Sequence, residues 1–140
     1  MKSLTFIIAS VLFGLISQVH AEPESVLGLW LSKKEGKASP VVELYLEHGK
    51  LQGRVVDFLL SPDESEPVCN TCDDERQGKS VRGMKILSGF KWNGEKWVGG
   101  RIFSPERNKE FNCELWREGE VLKLHVSAGF ISQTKVWYRR

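Results

Sequence analysis

Val41-Val42-Glu43-Leu44-Tyr45-Leu46-Glu47-His48-Gly49-Lys50-Leu51-Gln52-Gly53-Arg54-Val55-Val56 decides the fold. Two alternating apolar-polar runs flank His48-Gly49, the spacing of a two-residue hairpin whose turn needs positive φ. With that loop, Leu46 faces Leu51, Leu44 faces Gly53 and Val42 faces Val55, so one face is apolar or small. The other face pairs Glu43 with Arg54, Tyr45 with Gln52 and Glu47 with Lys50, setting opposite charges across the strands as solvent-side pairs require. An antiparallel pair with one buried face follows.

The same pattern recurs downstream. A turn at Glu118-Gly119 sets Leu115 against Leu122, Cys113 against Leu124 and Phe111 against Val126, with Glu114 opposite Lys123 outside. A turn at Asn93-Gly94 sets Phe90 against Trp97, although Gly89, Gly99 and Gly100 thin both faces, as at a bulge or barrel corner. A first strand near 27–33, a turn at Ser104 to Lys109 and a last strand near 132–139 bring the total to about eight strands. No segment of helical period follows residue 21. A meander of hairpins leaves two bare edges unless it closes on itself. The expected class is therefore all-β, a small antiparallel up-and-down barrel, with an open sandwich as the second architecture.

The first 21 residues follow a different logic. Lys2, the apolar run Leu4 to Ile16, polar Ser17-Gln18 and the small-residue end Val19-His20-Ala21 have the order of a cleavable secretory signal. The apolar run falls short of the roughly 20 residues that span a bilayer. Cleavage after Ala21 is expected, placing the mature protein in the periplasm or outside the cell, as one domain over 22–140 with no integral membrane segment. The first cysteine is Cys69, far from the boundary, so no lipid anchor is expected. The formal charge of the whole chain is +2, and its basic residues are dispersed among acids, which gives no grip on nucleic acid.

Residues 61–82 break the regularity with Pro62, Pro67, six acids and the pair Cys69-Asn70-Thr71-Cys72. A loop this long in a small domain is usually functional or disordered. Two residues between cysteines allow a disulfide, a shared metal or thiol exchange, and export favours them in that order. A zinc site would need partners from Cys113, His48 and His125, which the expected registers keep apart, so no metal is assigned. No helix follows the pair to activate a thiol. Cys113 is expected in the core as a small hydrophobe. Catalytic motifs are missing: there is no Gly-x-Ser-x-Gly elbow, no His-Glu-x-x-His and no phosphate-cradling loop. Neither an enzymatic role nor a cofactor is expected. Asp57 shares the inner parity of Val55, and if enclosed needs a partner such as Arg101 or a place at the barrel mouth.

Several pieces together, Gly28-Leu29-Trp30, Gly53-Arg54-Val55-Val56, Gly83-Met84-Lys85-Ile86-Leu87-Ser88-Gly89, Trp97-Val98-Gly99-Gly100-Arg101-Ile102, Phe111-Asn112-Cys113-Glu114-Leu115 and Thr134-Lys135-Val136-Trp137-Tyr138-Arg139, resemble the bacterial domain of unknown function 2147 family. The resemblance covers nearly the whole mature chain and implies an exported lipocalin-like, or calycin, barrel without an established activity. It also implies that Arg139 lies over Trp30, beside Gly28, and closes the barrel floor by guanidinium-indole stacking. Asn108 replaces the family's usual glycine before Lys109, and asparagine tolerates the left-handed conformation that turn needs. Ser127-Ala128 replaces a glycine-aromatic pair, leaving the route into the last strand unspecified.

An eight-stranded barrel either holds one small ligand or is filled by its side chains. The hollow alternative predicts a small apolar ligand on Leu44, Leu46, Val55, Phe90, Trp97, Phe111, Leu115 and Leu124, in a monomer. The filled alternative predicts an envelope protein partner meeting the acidic loop and surface aromatics such as Tyr45 and Trp116. Metal or thiol handling through Cys69 and Cys72 is the third.

Overall fold

A computed structural model of the chain describes residues 10, 14 and 21–140. The export signal proposed for 1–21 lies almost wholly outside the described residues. A 3-10 turn, Pro23–Val26, leads into eight strands: β1 Gly28–Leu31, β2 Ser39–Glu47, β3 Lys50–Leu59, β4 Lys85–Trp92, β5 Trp97–Ser104, β6 Lys109–Glu118, β7 Val121–Ala128 and β8 Ile131–Arg139. Each strand pairs antiparallel with its neighbour in sequence, and β8 returns to β1 to close the barrel. Closure removes the edges a linear meander would expose.

The β2–β3 hairpin has the register expected of it. Leu46 pairs with Leu51, Leu44 with Gly53 and Val42 with Val55, while Glu43 meets Arg54 outside. His48 and Gly49 both take positive φ, 52° and 76°, as a primed turn demands. The other two hairpins differ from expectation by a slip of two. In β6–β7 the loop is Gly119-Glu120, and Leu115 pairs with Leu124, Cys113 with Val126 and Trp116 with Lys123. Gly119, with φ 57°, takes the first loop position, where a primed turn also accepts glycine. In β4–β5 the side chain of Asn93 accepts hydrogen bonds from the amides of Glu95 and Lys96, at 2.9 and 2.8 Å, and lengthens the loop so that Trp92 pairs with Trp97. A slip of two leaves each side chain on its original face. The glycine-thinned face has its own reason: Phe90 fills the space over Gly100, where any side chain would collide with the ring.

One slip of a single residue does change faces. Val42 pairs with Val55 but Val41 pairs with Asp57, so β3 carries a bulge at Val56. Beyond it Phe58 turns inward and is buried, while Asp57 turns out. Asn108 has φ 47°, the left-handed conformation expected of it.

The two ends of the barrel are unlike. At the end holding the β2–β3, β4–β5 and β6–β7 hairpins, Trp30, Leu44, Leu51, Phe90, Leu115 and Leu124 are buried and fill the interior. The 3-10 turn lies beneath them as a floor, fastened by Trp30 Nε1 to the Val26 carbonyl at 2.8 Å and Trp97 Nε1 to the Pro23 carbonyl at 3.0 Å. Arg139 stacks 4.1 Å above the Trp30 ring. It also donates to the carbonyls of Leu27, at 2.8 Å, and Ser25, at 3.2 Å. Among the described residues no helix is long and apolar enough to cross a membrane.

Candidate functional site

The opposite end is hollow. A cavity of about 440 Å³ opens there, bounded by the connections 32–38, 60–84 and 105–108 and by the start of β8. Its wall is apolar: Val55 and Phe58 from β3, Ile102 from β5, Phe111 from β6, Val126 from β7 and Trp137 from β8. These strands alternate in and out, so each gives the cavity one or two side chains.

Within the expected ligand set, Val55 and Phe111 line this cavity. Leu44, Phe90, Trp97, Leu115 and Leu124 are buried in the filled half below it. Leu46 does not belong to the interior and is 43% exposed. The cause is strand length: β1 pairs with β2 only from Gly28 opposite Leu44, so the β1 pairing does not extend to Leu46. Phe58, Ile102 and Trp137 went unrecognised in the sequence. Phe58 was hidden by the bulge at Val56, which reverses the alternation read from Val55.

The long connection, 60–84, forms part of the cavity wall through Pro67 and Val81. Cys69 and Cys72 are joined by a disulfide and buried despite their acidic surroundings. The loop is tied into a local ladder: the amide of Cys69 donates to Lys79, that of Gly78 to Cys69 and that of Val81 to Pro67, at 2.8 to 3.0 Å. Thr71 donates to the Pro105 carbonyl at 2.7 Å and Asn108 to Asp73 at 3.1 Å, so the loop rests on the β5–β6 turn. Asp57 pairs with Arg82 of this loop at 3.0 Å and not with Arg101, which instead bonds Asn112. Arg82 also grips Glu66. The amide of Phe58 and the guanidinium of Arg82 hold the Asp57 carboxyl below its usual range, and Arg82 does the same for Glu66.

The cavity mouth is basic. Lys34, Arg107, Lys109 and Lys135 line it with one carboxylate, Glu106. Lys34 holds Glu106 at 2.7 Å and Lys37 approaches it at 3.6 Å, and Lys34 foremost lowers the Glu106 pKa. Loss of water around Lys135, followed by the charges of Lys34 and Arg107, lowers the Lys135 pKa against the opposing pull of Glu106. The lining includes neither histidine nor cysteine among the described residues. His125 contacts Thr134 at 3.3 Å and His48 sits in its turn, so the two do not converge. Cys113 is buried in β6, and burial pushes its thiol up to about 12. The arrangement suits enclosure of an apolar body with its polar end at the mouth.

A closed eight-stranded barrel with a 3-10 floor, an arginine stacked on the first-strand tryptophan and a cavity at the far end defines a lipocalin-like fold. The fold is similar to a solved structure from Helicobacter pylori, protein HP1028, described as belonging to the lipocalin family, with a TM-score of 0.71 and 16% identity over 81% of this chain and 82% of that one. Residues 28–139 match the family described as uncharacterized protein conserved in bacteria, DUF2147, and the chain belongs to it. No curated protein matches the chain.

Proposed function

We propose that this chain is an exported, non-catalytic monomer that binds a small, largely apolar molecule inside its barrel. The observation that carries this is the hollow half. Its volume of about 440 Å³ falls in the range of about 300–1,000 Å³ typical of small-molecule sites, and its wall is mainly aliphatic and aromatic. The signal-like order of residues 1–21 supports a periplasmic setting. A partner-binding role for the surface aromatics has less support, because both are engaged within the chain: Arg54 lies over Tyr45 at 4.9 Å and Lys96 over Trp116 at 4.1 Å.

Native mass spectrometry of protein purified from its own periplasm is expected to show a co-purifying apolar mass. After stripping, the barrel is expected to take up the neutral fluorophore N-phenyl-1-naphthylamine, and Ala128→Trp at the cavity wall is expected to weaken that uptake. A stripped barrel that binds no apolar probe and carries no ligand mass sinks the proposal.

A further inference from the structure

Barrel closure is incomplete beside the cavity. β8 is paired with β1 only at Trp30–Arg139 and Leu31–Tyr138, so the stretch from Ile131 to Trp137 runs on without β1 beside it. The connection 32–38 lies at the same end and sends Lys34 into the cavity lining, while β8 sends Gln133 and Lys135. The β5–β6 turn adds Glu106 and Arg107.

The charges at this mouth do not balance. Glu106 is satisfied by Lys34 and approached by Lys37. Among the described residues, none of the mouth cations Lys135, Arg107 and Lys109 has an ion-pair partner. Cations elsewhere on the barrel include several held by carboxylates: Arg54 pairs with Glu43, Arg76 with Asp74, Arg82 with Asp57 and Glu66, and Lys85 with Glu47. Lys135 stands exposed at the opening beside the like charges of Lys34 and Arg107. An anion placed among like charges relieves their mutual repulsion and is attracted by each of them. Below it the wall turns apolar at Phe111, Val126 and Trp137.

We infer that the molecule taken up is an anionic amphiphile, whose apolar chain fills the lower cavity while its carboxylate or phosphate head sits against Lys135 and Arg107. The inference rests on the cavity reading above and adds the head group to it. Lys34 reaches the same head group only by sharing itself with Glu106, so the unpaired cations of the mouth discriminate.

The test displaces N-phenyl-1-naphthylamine from the stripped full-length mature protein with matched single-chain competitors: dodecanoate, dodecyl phosphate, dodecanol and dodecyltrimethylammonium. Both anions are expected to displace the probe at roughly tenfold lower concentration than dodecanol, as charge-assisted contacts to two cations together allow, with the cation weakest. The stronger of the two anions identifies the carboxylate or the phosphate as the natural head. Lys135→Met is expected to cut the anion advantage to about threefold or less, each competitor being referred to that variant's own probe affinity, and Lys135→Arg to keep it. In wild type, raising ionic strength from about 0.01 to 1 M, which shortens the Debye length from about 30 to 3 Å, is expected to erode the advantage without any variant. If dodecanol displaces the probe as well as dodecanoate and dodecyl phosphate do, the head-group assignment falls while the cavity reading stands. If the probe and every competitor stay out, both fall. An anion advantage as large in Lys135→Met as in wild type refutes the role given to that lysine.

Discussion

Replacing Arg139 tests whether the barrel floor is held by one side chain. Its guanidinium lies 4.1 Å over the buried Trp30 ring and bonds the carbonyls of Leu27 and Ser25. Arg117 reaches the same Ser25 carbonyl at 3.0 Å, so β6 and β8 together hold the entry to β1. Stacking of a cation on an aromatic face contributes about 0.5–1 kcal/mol at an exposed site. The head of Arg139 keeps water on one side, so its two hydrogen bonds are counted at surface value, together about 1 kcal/mol. Arg139→Met keeps a flexible apolar stem over the indole and loses both terms, an expected cost of about 2 kcal/mol. Arg139→Lys keeps the charge without the planar fork and is expected to lose about half of that. Urea unfolding followed by tryptophan fluorescence reads the change. With a slope of about 2 kcal/mol/M, the midpoint of Arg139→Met should fall by about 1 M. Hydrogen exchange adds a local readout: the Trp30 indole N–H, bonded to Val26, should exchange faster while amides of the β6–β7 ladder change only with global stability. A midpoint unchanged in Arg139→Met, or a lysine variant as stable as wild type, refutes the assignment.

Two further outcomes concern the long loop and the thiols. Native protein is expected to show no reactive thiol. Denaturation without reductant should expose one, from Cys113, and reduction should expose all three. The double variant Cys69→Ser and Cys72→Ser opens a ring of sequence separation 3 and should cost about 2 kcal/mol in the chain-entropy account; three thiols in the denatured, unreduced protein would contradict the pairing. For Arg82, the linked groups are Asp57 and Glu66, whose folded pKa values lie below the ordinary 3.8 and 4.5. Lowered carboxylates stabilise the fold above their unfolded pKa values, and that contribution disappears as pH falls through the folded ones. The stability gap between wild type and Arg82→Gln, measured by urea midpoint, should therefore be widest near neutral pH and close below about pH 4; a constant gap would exclude the linkage.

Much of the barrel is written in local pattern. The β2–β3 register follows from His48-Gly49 and from the sorting of Leu44, Val42 and Val55 to one face, since both are decided within a few residues of the turn. The slips in the other two hairpins come from turn chemistry that a dipeptide leaves open. Gly119 accepts the first loop position as readily as the second, and Asn93 lengthens its loop by bonding amides with its own side chain. Because both slips are even, the buried faces were legible although the partners were not.

What stayed hidden depends on contacts between distant segments. Alternation places Asp57 inside, yet the bulge at Val56 substitutes Phe58 and releases Asp57 to Arg82, a residue 25 positions away. Alternation likewise places Leu46 inside, yet the first strand begins opposite Leu44, too late to cover that side. The division into a filled and a hollow half has the same origin. Large side chains meet across the barrel where Phe90, Leu115 and Trp30 converge, and none crosses it where Val55, Val126 and Ile102 line the wall. Strand parity tells which residues face inward but not at what height, and height separates core from cavity. The cations of the mouth arise at that same level of description, because Lys34, Arg107 and Lys135 are brought to one opening only when β8 curls back past the first strand. A ligand's apolar part is thus specified by strand alternation, and its polar part by barrel closure.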